Sequence, residues 1–253
     1  MELAQIWRYP VKSLQGEQLD AAEVDGDGLR GDRLWGIRDE ATGKILTARR
    51  EPTLLFASAS LDDAGQPAIA LPSGETRPGV GPDTDAALSA WLERPVSLVA
   101  AAGVDAGRAE FFADATDDSS RAIEWTMPPG RFVDALPLLL VTTSSLHAAA
   151  ELHPGGAWDT RRVRPNLLIE TDGDGGWVED AWCGKPVRVG AAELVPRQPC
   201  LRCTMVTRPQ PGLERDLEIF KTLAKHHGNT FGVWTSVTTP GAIRAGDPVA
   251  VAT

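Results

Sequence analysis

The sequence lacks the features that define several large classes of protein. Its 253 residues include only three cysteines, an odd number and too few for a disulfide-stabilised scaffold, which fits a reducing compartment. The longest apolar runs, 98–104 and 135–141, fall far short of the ~20 residues that a membrane-spanning helix needs. The N-terminus has no basic start followed by an apolar run, so no signal peptide is predicted. These absences predict a cytoplasmic protein with no membrane partner.

Positive charge is also scarce. Lysine and arginine total 25 against 35 acidic residues, a net charge of −10. Nucleic acids and anionic membranes attract an excess of positive charge, so neither is predicted as a partner, and any anion site must be local. The basic residues that could form one lie in two groups: Lys12, Arg30, Arg33, Arg49 and Arg50, then Arg161, Arg162 and Arg164. Lys12-Ser13 and a forked guanidinium would suit a phosphate monoester if they converge, and would otherwise be solvated surface.

Glycine and proline are abundant, at 25 and 19 residues, and short alternating segments recur between them. This pattern is typical of short strands joined by turns, so the sequence predicts a mostly β protein with a few helices, of the α+β class. Strands are predicted at 3–9, 18–24, 33–38, 44–47, 54–60, 167–170, 187–195, 234–238 and 247–251. A first helix is predicted over 84–92, capped by Asp83 or Thr84. A second is predicted to end at residue 152 and to be capped by Thr142, Thr143 or Ser144. A third is predicted over 213–227, ended by Gly228.

The composition changes once along the chain. From residue 103 to residue 124 it becomes acidic and rich in small residues, which is typical of a connection between domains. We therefore predict a first domain over 1–102, an acidic connection over 103–124 and a second domain over 125–253.

Two short motifs allow several interpretations. The glycines at 26, 28 and 31 have the G-x-G-x-x-G spacing of dinucleotide sites, but a strand-like segment follows them where that site needs a helix. The Cys200-x-x-Cys203 motif could be buried apolar filler, a redox pair, half of a zinc site or the source of one thiolate ligand to a soft metal. Arg202 favours the last, because a neighbouring cation lowers the pKa of a thiol. The adjacent His226 and His227 lack the usual zinc-ligand spacing.

Several ordered motifs across the chain resemble one family. The runs YPVKS at 9–13 and GLRGDRLW at 28–35 resemble the N-terminal β-barrel domain that precedes MOSC domains. Further along, RPNLLI at 164–169, EDAW at 179–182 and PCLRC at 199–203 resemble the MOSC domain itself. The resemblance implies an N-terminal β-barrel-like domain followed by a MOSC β-barrel domain, as in the family's amidoxime-reducing members.

The resemblance also implies a cofactor and its site. It implies a molybdenum cofactor (Mo-molybdopterin) whose metal is ligated by Cys203, with Lys12, Ser13 and Arg33 on the phosphate end of the pterin. Arg164 and Asn166 match residues that face the cofactor, and Asp134 matches an acidic position near the metal, so Cys203 and Asp134 are the candidate catalytic residues.

The activity that the resemblance implies is oxygen removal from small N-hydroxylated compounds such as amidoximes, hydroxylamines and N-hydroxylated bases. Electrons would come from a separate donor protein: a ferredoxin, a cytochrome b5-like protein or a flavoprotein reductase. The alternative is a molybdenum-cofactor or sulfur carrier without reductase turnover. One departure leaves the substrate type open, because RPQP at 208–211 stands where many reductase-like members carry an acidic segment.

Overall fold

Strands dominate the computed structural model, which describes residues 1–103, 107–114, 117, 119–171 and 175–252. The strands are β1 (Glu2–Arg8), β2 (Glu17–Leu19), β3 (Ala21–Asp25), β4 (Gly28–Leu29), β5 (Trp35–Asp39), β6 (Ser58–Leu61), β7 (Pro67–Ala70), β8 (Thr76–Pro78), β9 (Val96–Ala100), β10 (Arg108–Phe112), β11 (Ala122–Thr126), β12 (Leu138–Thr142), β13 (Leu167–Glu170), β14 (Val187–Val189), β15 (Ala192–Leu201), β16 (Thr230–Thr239), β17 (Gly241–Arg244) and β18 (Val249–Val251). The helices are α1 (Pro82–Leu92), α2 (Thr143–Leu152), α3 (Thr160–Val163) and α4 (Leu217–His226), with short 3-10 helices at Pro52–Phe56, Ala101–Gly103, Val178–Trp182 and Thr204–Thr207. The predicted mostly β, α+β class is confirmed. No helix in these described ranges is long and apolar enough to cross a membrane.

One mixed sheet of eight strands joins the two ends of the chain. Its order is β18-β14-β15-β16-β12-β13-β1-β2. Strand β1 pairs antiparallel with β13, with Ile6 opposite Leu167, and β12 runs parallel to β13. Leu3 and Ile6 are fully buried in the same apolar cluster as Leu140 and Leu167. The first strand is therefore an integral part of the sheet that the C-terminal strands build.

Three smaller sheets flank the large one: β17-β3-β4, β5-β9 and β6-β7-β8. The first of them packs Val24, Leu29 and Ile243 into the cluster of the large sheet, whereas β5-β9 and β6-β7-β8 surround a second apolar cluster. Helix α1 packs against β9, and its buried Leu88 joins Leu54, Ile69 and Leu98 in that cluster. Strand β17 lies near the C-terminus yet pairs with β3, with Ile243 opposite Ala22.

The predicted acidic connection contains regular structure. Strands β10 and β11 form an antiparallel hairpin in which Phe111 lies opposite Ile123. Residues 104–106, 115, 116 and 118 of that segment lie outside the described residues. The division into domains at 102 and 125 stays a prediction.

One predicted strand is wrong, and another is correct only in its second half. The predicted strand over 44–47 contains only isolated bridges from Ile45 to Arg38 and to Ala109. The first half of the predicted strand over 54–60 is the 3-10 helix Pro52–Phe56, because proline has the backbone angle that starts a helical turn. The glycine motif at 26–31 contains β4 and is followed by β5, with no helix between them, so the predicted strand-like segment after the motif is confirmed.

The helices follow the local signals to different degrees. Thr142 caps α2 by accepting the amide of Ser145, as predicted, and Gly228 adopts a positive φ of 56° after α4. Helix α1 begins at Pro82 after Gly81, with no side-chain cap, so the capping residues predicted for it are wrong. Helix α4 begins four residues later than predicted, because Asp216 caps it.

Candidate functional site

One cavity collects the residues that the sequence singles out. Lys12 and Ser13 follow β1, Arg33 lies between β4 and β5, and Asp134 precedes β12. Arg164 and Asn166 lie between α3 and β13, and Cys203 follows β15. The lining residues are Lys12, Ser13, Arg33, Arg49, Val133, Asp134, Ala135, Leu136, Leu139, Arg162, Val163, Arg164, Asn166, Cys200, Leu201, Arg202, Cys203, Met205, Val206 and Trp234. The fold thus brings together all seven predicted site residues.

The cavity is strongly cationic although the chain is acidic. Its lining residues carry six cations and one carboxylate, Asp134; the cations are Lys12, Arg33, Arg49, Arg162, Arg164 and Arg202. Arg30 and Arg50 line other clefts, and Arg161 pairs with Asp159 at 2.7 Å. A concentration of positive charge in one cavity favours an anionic ligand.

Asp134 is held between two cations. Its Oδ1 accepts a hydrogen bond from Lys12 Nζ at 2.7 Å, and its Oδ2 accepts one from an Arg49 Nη atom at 2.6 Å. Burial alone would raise the pKa of Asp134, but Arg49 and Lys12 hold that pKa well below its usual range. Burial lowers the pKa of Lys12, and the neighbouring Asp134 carboxylate partly opposes this decrease. Asp134 is therefore an ionised bridge at neutral pH.

Two further cations stack on one tyrosine. The guanidinium carbons of Arg33 and Arg164 lie 4.8 and 4.3 Å from the centre of the Tyr9 ring, within the range of cation–π attraction. The Tyr9 hydroxyl donates to Pro165 O at 3.1 Å. Burial lowers the pKa of Arg164 to about 10, so the guanidinium stays charged at neutral pH. Its Nη1 atom is buried without a hydrogen-bond partner, a costly arrangement that an anion in the cavity would relieve.

Backbone strain is concentrated at the same site. Ser13, Arg33 and Arg164 have positive φ angles of 71°, 52° and 55°. They are three of the five non-glycine residues with positive φ in the described part of the chain. Such conformations cost about 1–3 kcal/mol each and persist where the surrounding structure imposes them, often at ligand sites. Strain and cationic charge therefore coincide here.

Asn166 and Ser13 have different hydrogen-bonding capacities. Asn166 Oδ1 accepts from Leu139 N at 3.2 Å and from Arg33 Nη1 at 3.1 Å, and its Nδ2 donates to Trp7 O at 3.1 Å. The Asn166 amide thus fixes Arg33 and the backbone. Ser13 Oγ accepts from Ala48 N at 3.0 Å, which leaves its own proton to donate.

The two cysteines of the C-x-x-C motif differ in environment. Cys200 is buried, and burial raises the pKa of its thiol. Cys203 is half-buried and precedes the 3-10 helix Thr204–Thr207. Arg202, which sequence reasoning paired with Cys203, donates instead to Phe231 O and Val163 O, both at 3.0 Å. Arg49, which lines the same cavity, is electrostatically coupled to the Cys203 side chain.

The zinc interpretation finds no support in the described ranges. They contain no group of three or more His, Cys, Asp or Glu side chains placed to hold a metal ion. His227 instead bonds Asp180 at 2.7 Å and stacks on Trp177 with ring centres 4.0 Å apart.

Sequence reasoning missed the roles of Arg49 and Arg162. Arg162 is buried and donates to the carbonyl oxygens of Ala157, Val206 and Glu214 at 2.8, 3.2 and 2.7 Å. It thereby fixes the segment that follows Cys203. No local sequence signal distinguishes either arginine from its neighbours, since their partners lie in distant parts of the chain.

Two family models together match most of the chain. The MOSC N-terminal beta barrel domain model matches residues 1–113, and the MOSC domain model matches residues 85–250. Mitochondrial amidoxime-reducing component 1 of Mus musculus is 29% identical, covering 98% of this chain and 81% of that protein. The Homo sapiens component 1 is 27% identical, covering 98% and 82%. The solved YUAD protein from Bacillus subtilis aligns with a TM-score of 0.47 and 12% identity, over 98% of this chain and 93% of that one. This chain therefore belongs to the MOSC domain family and carries the MOSC N-terminal beta barrel domain ahead of its MOSC domain.

Proposed function

We propose that the protein is a molybdenum-cofactor-dependent oxidoreductase that removes oxygen from N-hydroxylated compounds at a metal ligated by Cys203. Relatives named amidoxime-reducing components resemble it over nearly its whole length. The observation that carries the proposal is the cavity itself, where a thiol and an unpartnered buried guanidinium nitrogen of Arg164 occur among six cations.

The residues present fit the two ends of such a cofactor. A phosphate monoester carries about −1.5 to −2 charges at neutral pH and offers three strong acceptor oxygens. Lys12, the Ser13 hydroxyl, Arg33 and the open Arg164 nitrogen supply donors and positive charge for it. The Cys203 thiolate is a soft ligand of the kind that a sulfur-bonded transition metal prefers. We assign Lys12, Ser13, Arg33, Arg164 and Asn166 to cofactor binding and Cys203 to the metal.

When bound, the cofactor supplies the two-electron chemistry that side chains lack. Overall, an N-hydroxyl compound, two electrons and two protons give the amine or amidine and water.

We assign Asp134 a positioning role, because its bonds to Lys12 and Arg49 keep it ionised and unsuited to donating a proton. Leu201, 58% exposed at the cavity, offers an apolar contact for the body of a substrate. A separate protein, a ferredoxin, a cytochrome b5-like protein or a flavoprotein reductase, would deliver the electrons.

The first test compares wild type with Cys203→Ala, with Cys183→Ala as the matched control because Cys183 does not line the cavity. The proteins are produced in a cofactor-competent host. Molybdenum is measured by elemental analysis, pterin by the fluorescence of its oxidised form, and activity as reduction of benzamidoxime by a chemical electron donor. We expect Cys203→Ala to abolish activity with an unchanged circular dichroism spectrum, and Cys183→Ala to behave as wild type.

Other results would change the assignment. Full activity in Cys203→Ala would refute the role of that thiol. Wild type that holds molybdenum and pterin, yet reduces no N-hydroxy compound with a competent donor, would be a cofactor carrier. Well-folded wild type that holds neither molybdenum nor pterin would refute the proposal that the protein binds this cofactor.

A further inference from the structure

Arg49 contacts two separate segments of the chain and lines the cavity together with Cys203 from a third. It donates to Asp134 Oδ2 at 2.6 Å, and its guanidinium carbon lies 4.1 Å from the centre of the Phe111 ring in β10. It also interacts electrostatically with the Cys203 side chain. The side chain is only 17% exposed, so it is confined among these partners.

The contacts of Arg49 continue towards the other end of the cavity. Asp134, which Arg49 holds on one oxygen, is held on the other by Lys12 at 2.7 Å. Lys12 in turn donates to Phe132 O at 2.9 Å, which fixes its own position. Hydrogen bonds therefore link Lys12, at the proposed phosphate end of the cavity, through Asp134 to Arg49, which lines the cavity together with Cys203 at the proposed metal end.

We propose that Arg49 is a positioning residue for the metal ligand, holding Asp134 and Cys203 in one fixed arrangement so that the sulfur faces the cavity. The inference rests on the proposed function, because it takes Cys203 as the ligand. Groups behind a metal ligand orient it, and their loss commonly costs about 10–100-fold in metal affinity or activity. A planar guanidinium can serve two partners along different edges, whereas the ammonium of lysine is a compact point charge.

The chain provides a matched control in the next residue. Arg50 lies beside Phe112, with its guanidinium carbon 5.0 Å from the ring centre, and its Nε lies 3.9 Å from Oε2 of Glu110. It lines a different cleft from Arg49. Substituting Arg50 removes the same charge from the same segment without touching the proposed site.

The experiment compares Arg49→Gln, Arg49→Lys and Arg50→Gln in the cofactor-loaded full-length protein. The measured quantities are molybdenum and pterin per chain, metal affinity, and the electron paramagnetic resonance spectrum of the metal. We expect Arg49→Gln to keep pterin, lower metal affinity roughly 10–100-fold and alter the spectrum. Arg49→Lys should recover part of the affinity, and Arg50→Gln should match wild type. A purely structural arginine would leave the spectrum of the retained metal unchanged.

Crystal structures of the cofactor-free variants test the same inference without metal. In Arg49→Gln we expect the Cys203 and Asp134 side chains to leave their wild-type rotamers, and in Arg50→Gln to keep them. Should Arg49→Gln fail to fold, Arg49→Lys serves in both measurements. Unmoved side chains, or a spectrum and affinity equal to those of Arg50→Gln, would overturn the role of Arg49. Absence of cofactor from wild type would refute the proposed function, whereas the cofactor-free structures would still show whether Arg49 holds the Cys203 and Asp134 side chains in place.

Discussion

At the scale of single residues, Tyr9 holds an unusual position between two cations. It is the only tyrosine in the chain and is 2% exposed, with Arg33 and Arg164 stacked on its ring. Burial raises the pKa of its hydroxyl to about 12, although the two arginines oppose the shift. Burial therefore outweighs two neighbouring positive charges.

A spectroscopic titration can measure this balance directly, because no other tyrosine contributes. We expect the tyrosinate absorbance of the folded protein to appear with a midpoint near pH 12, and that of the urea-unfolded protein near the ordinary value of about 10. A raised pKa means that the folded state holds the proton more tightly. Its contribution to stability is therefore complete below about pH 10 and is lost as the pH rises towards 12. A folded-state midpoint at the unfolded value would contradict the buried position of Tyr9.

The residues of the site were predictable only in part. Cys203, Lys12 and Arg33 belong to motifs that resemble a family, so their importance was visible in the sequence. Arg49 was visible only as one of several basic residues. Its significance depends on Asp134 and Cys203, which lie 85 and 154 positions away in the sequence and meet it only in the folded chain. A local sequence pattern does not indicate which distant residues meet in the folded chain.

At the scale of elements, prediction succeeded where the signal is local. Thr142 caps α2 through its own side chain, a contact within four residues that the sequence displays directly. The start of α4 was placed at Leu213, whereas the helix begins at Leu217 and buries Ile219 and Leu223. Leu213 is buried just before the helix, so its apolar character gives a false helical signal.

The cap of α4 also connects it to α2. Asp216 Oδ1 accepts from Glu218 N at 2.9 Å, and Asp216 Oδ2 lies 2.9 Å from Nε2 of His153, the residue that ends α2. We expect Asp216→Ala to lower the free energy of unfolding by about 1 kcal/mol through the lost cap, and by more if the contact with His153 contributes. Asp216→Asn keeps a good cap and loses only the charge, so it should be less destabilising. Urea unfolding curves measure both variants.

The pH dependence separates the two contributions of Asp216. Burial alone would raise its pKa, but the hydrogen bonds from His153 and the helix amide lower that pKa below its usual value. The stabilisation by the ionised carboxylate is therefore present above about pH 4 and lost as the pH falls below it. The difference between wild type and Asp216→Asn should shrink over that range. A difference that stays constant in acid would show that the charge of Asp216 contributes nothing.

At the scale of the whole molecule, strands from the N-terminal and C-terminal parts of the chain pair with each other in two sheets. Strand β1 pairs with β13 in the large sheet, and β17 pairs with β3 in a small one. Gln15 and Gln210 add a side-chain hydrogen bond of 2.6 Å between the two halves. The predicted division at residues 102 and 125 therefore separates segments that share one sheet and one apolar cluster.

Because each part of the chain contributes strands to the sheets of the other, we predict that fragments divided at residue 125 do not fold alone. Fragment 125–253 lacks Leu3 and Ile6, and each fully buried aliphatic side chain contributes about 1.5–3 kcal/mol, a large share of the roughly 5–15 kcal/mol that stabilises a protein. It also leaves β13 without a partner for its hydrogen bonds on one side. We expect the circular dichroism spectrum of the fragment to be that of an unfolded chain. Co-expressed fragments 1–124 and 125–253 should associate into a folded complex. The intact chain should unfold in a single transition when it is followed by circular dichroism and by tryptophan fluorescence. A fragment 125–253 that folds and melts like the intact chain would show that β1 is an accessory edge strand and that the boundary at 125 marks an autonomous domain.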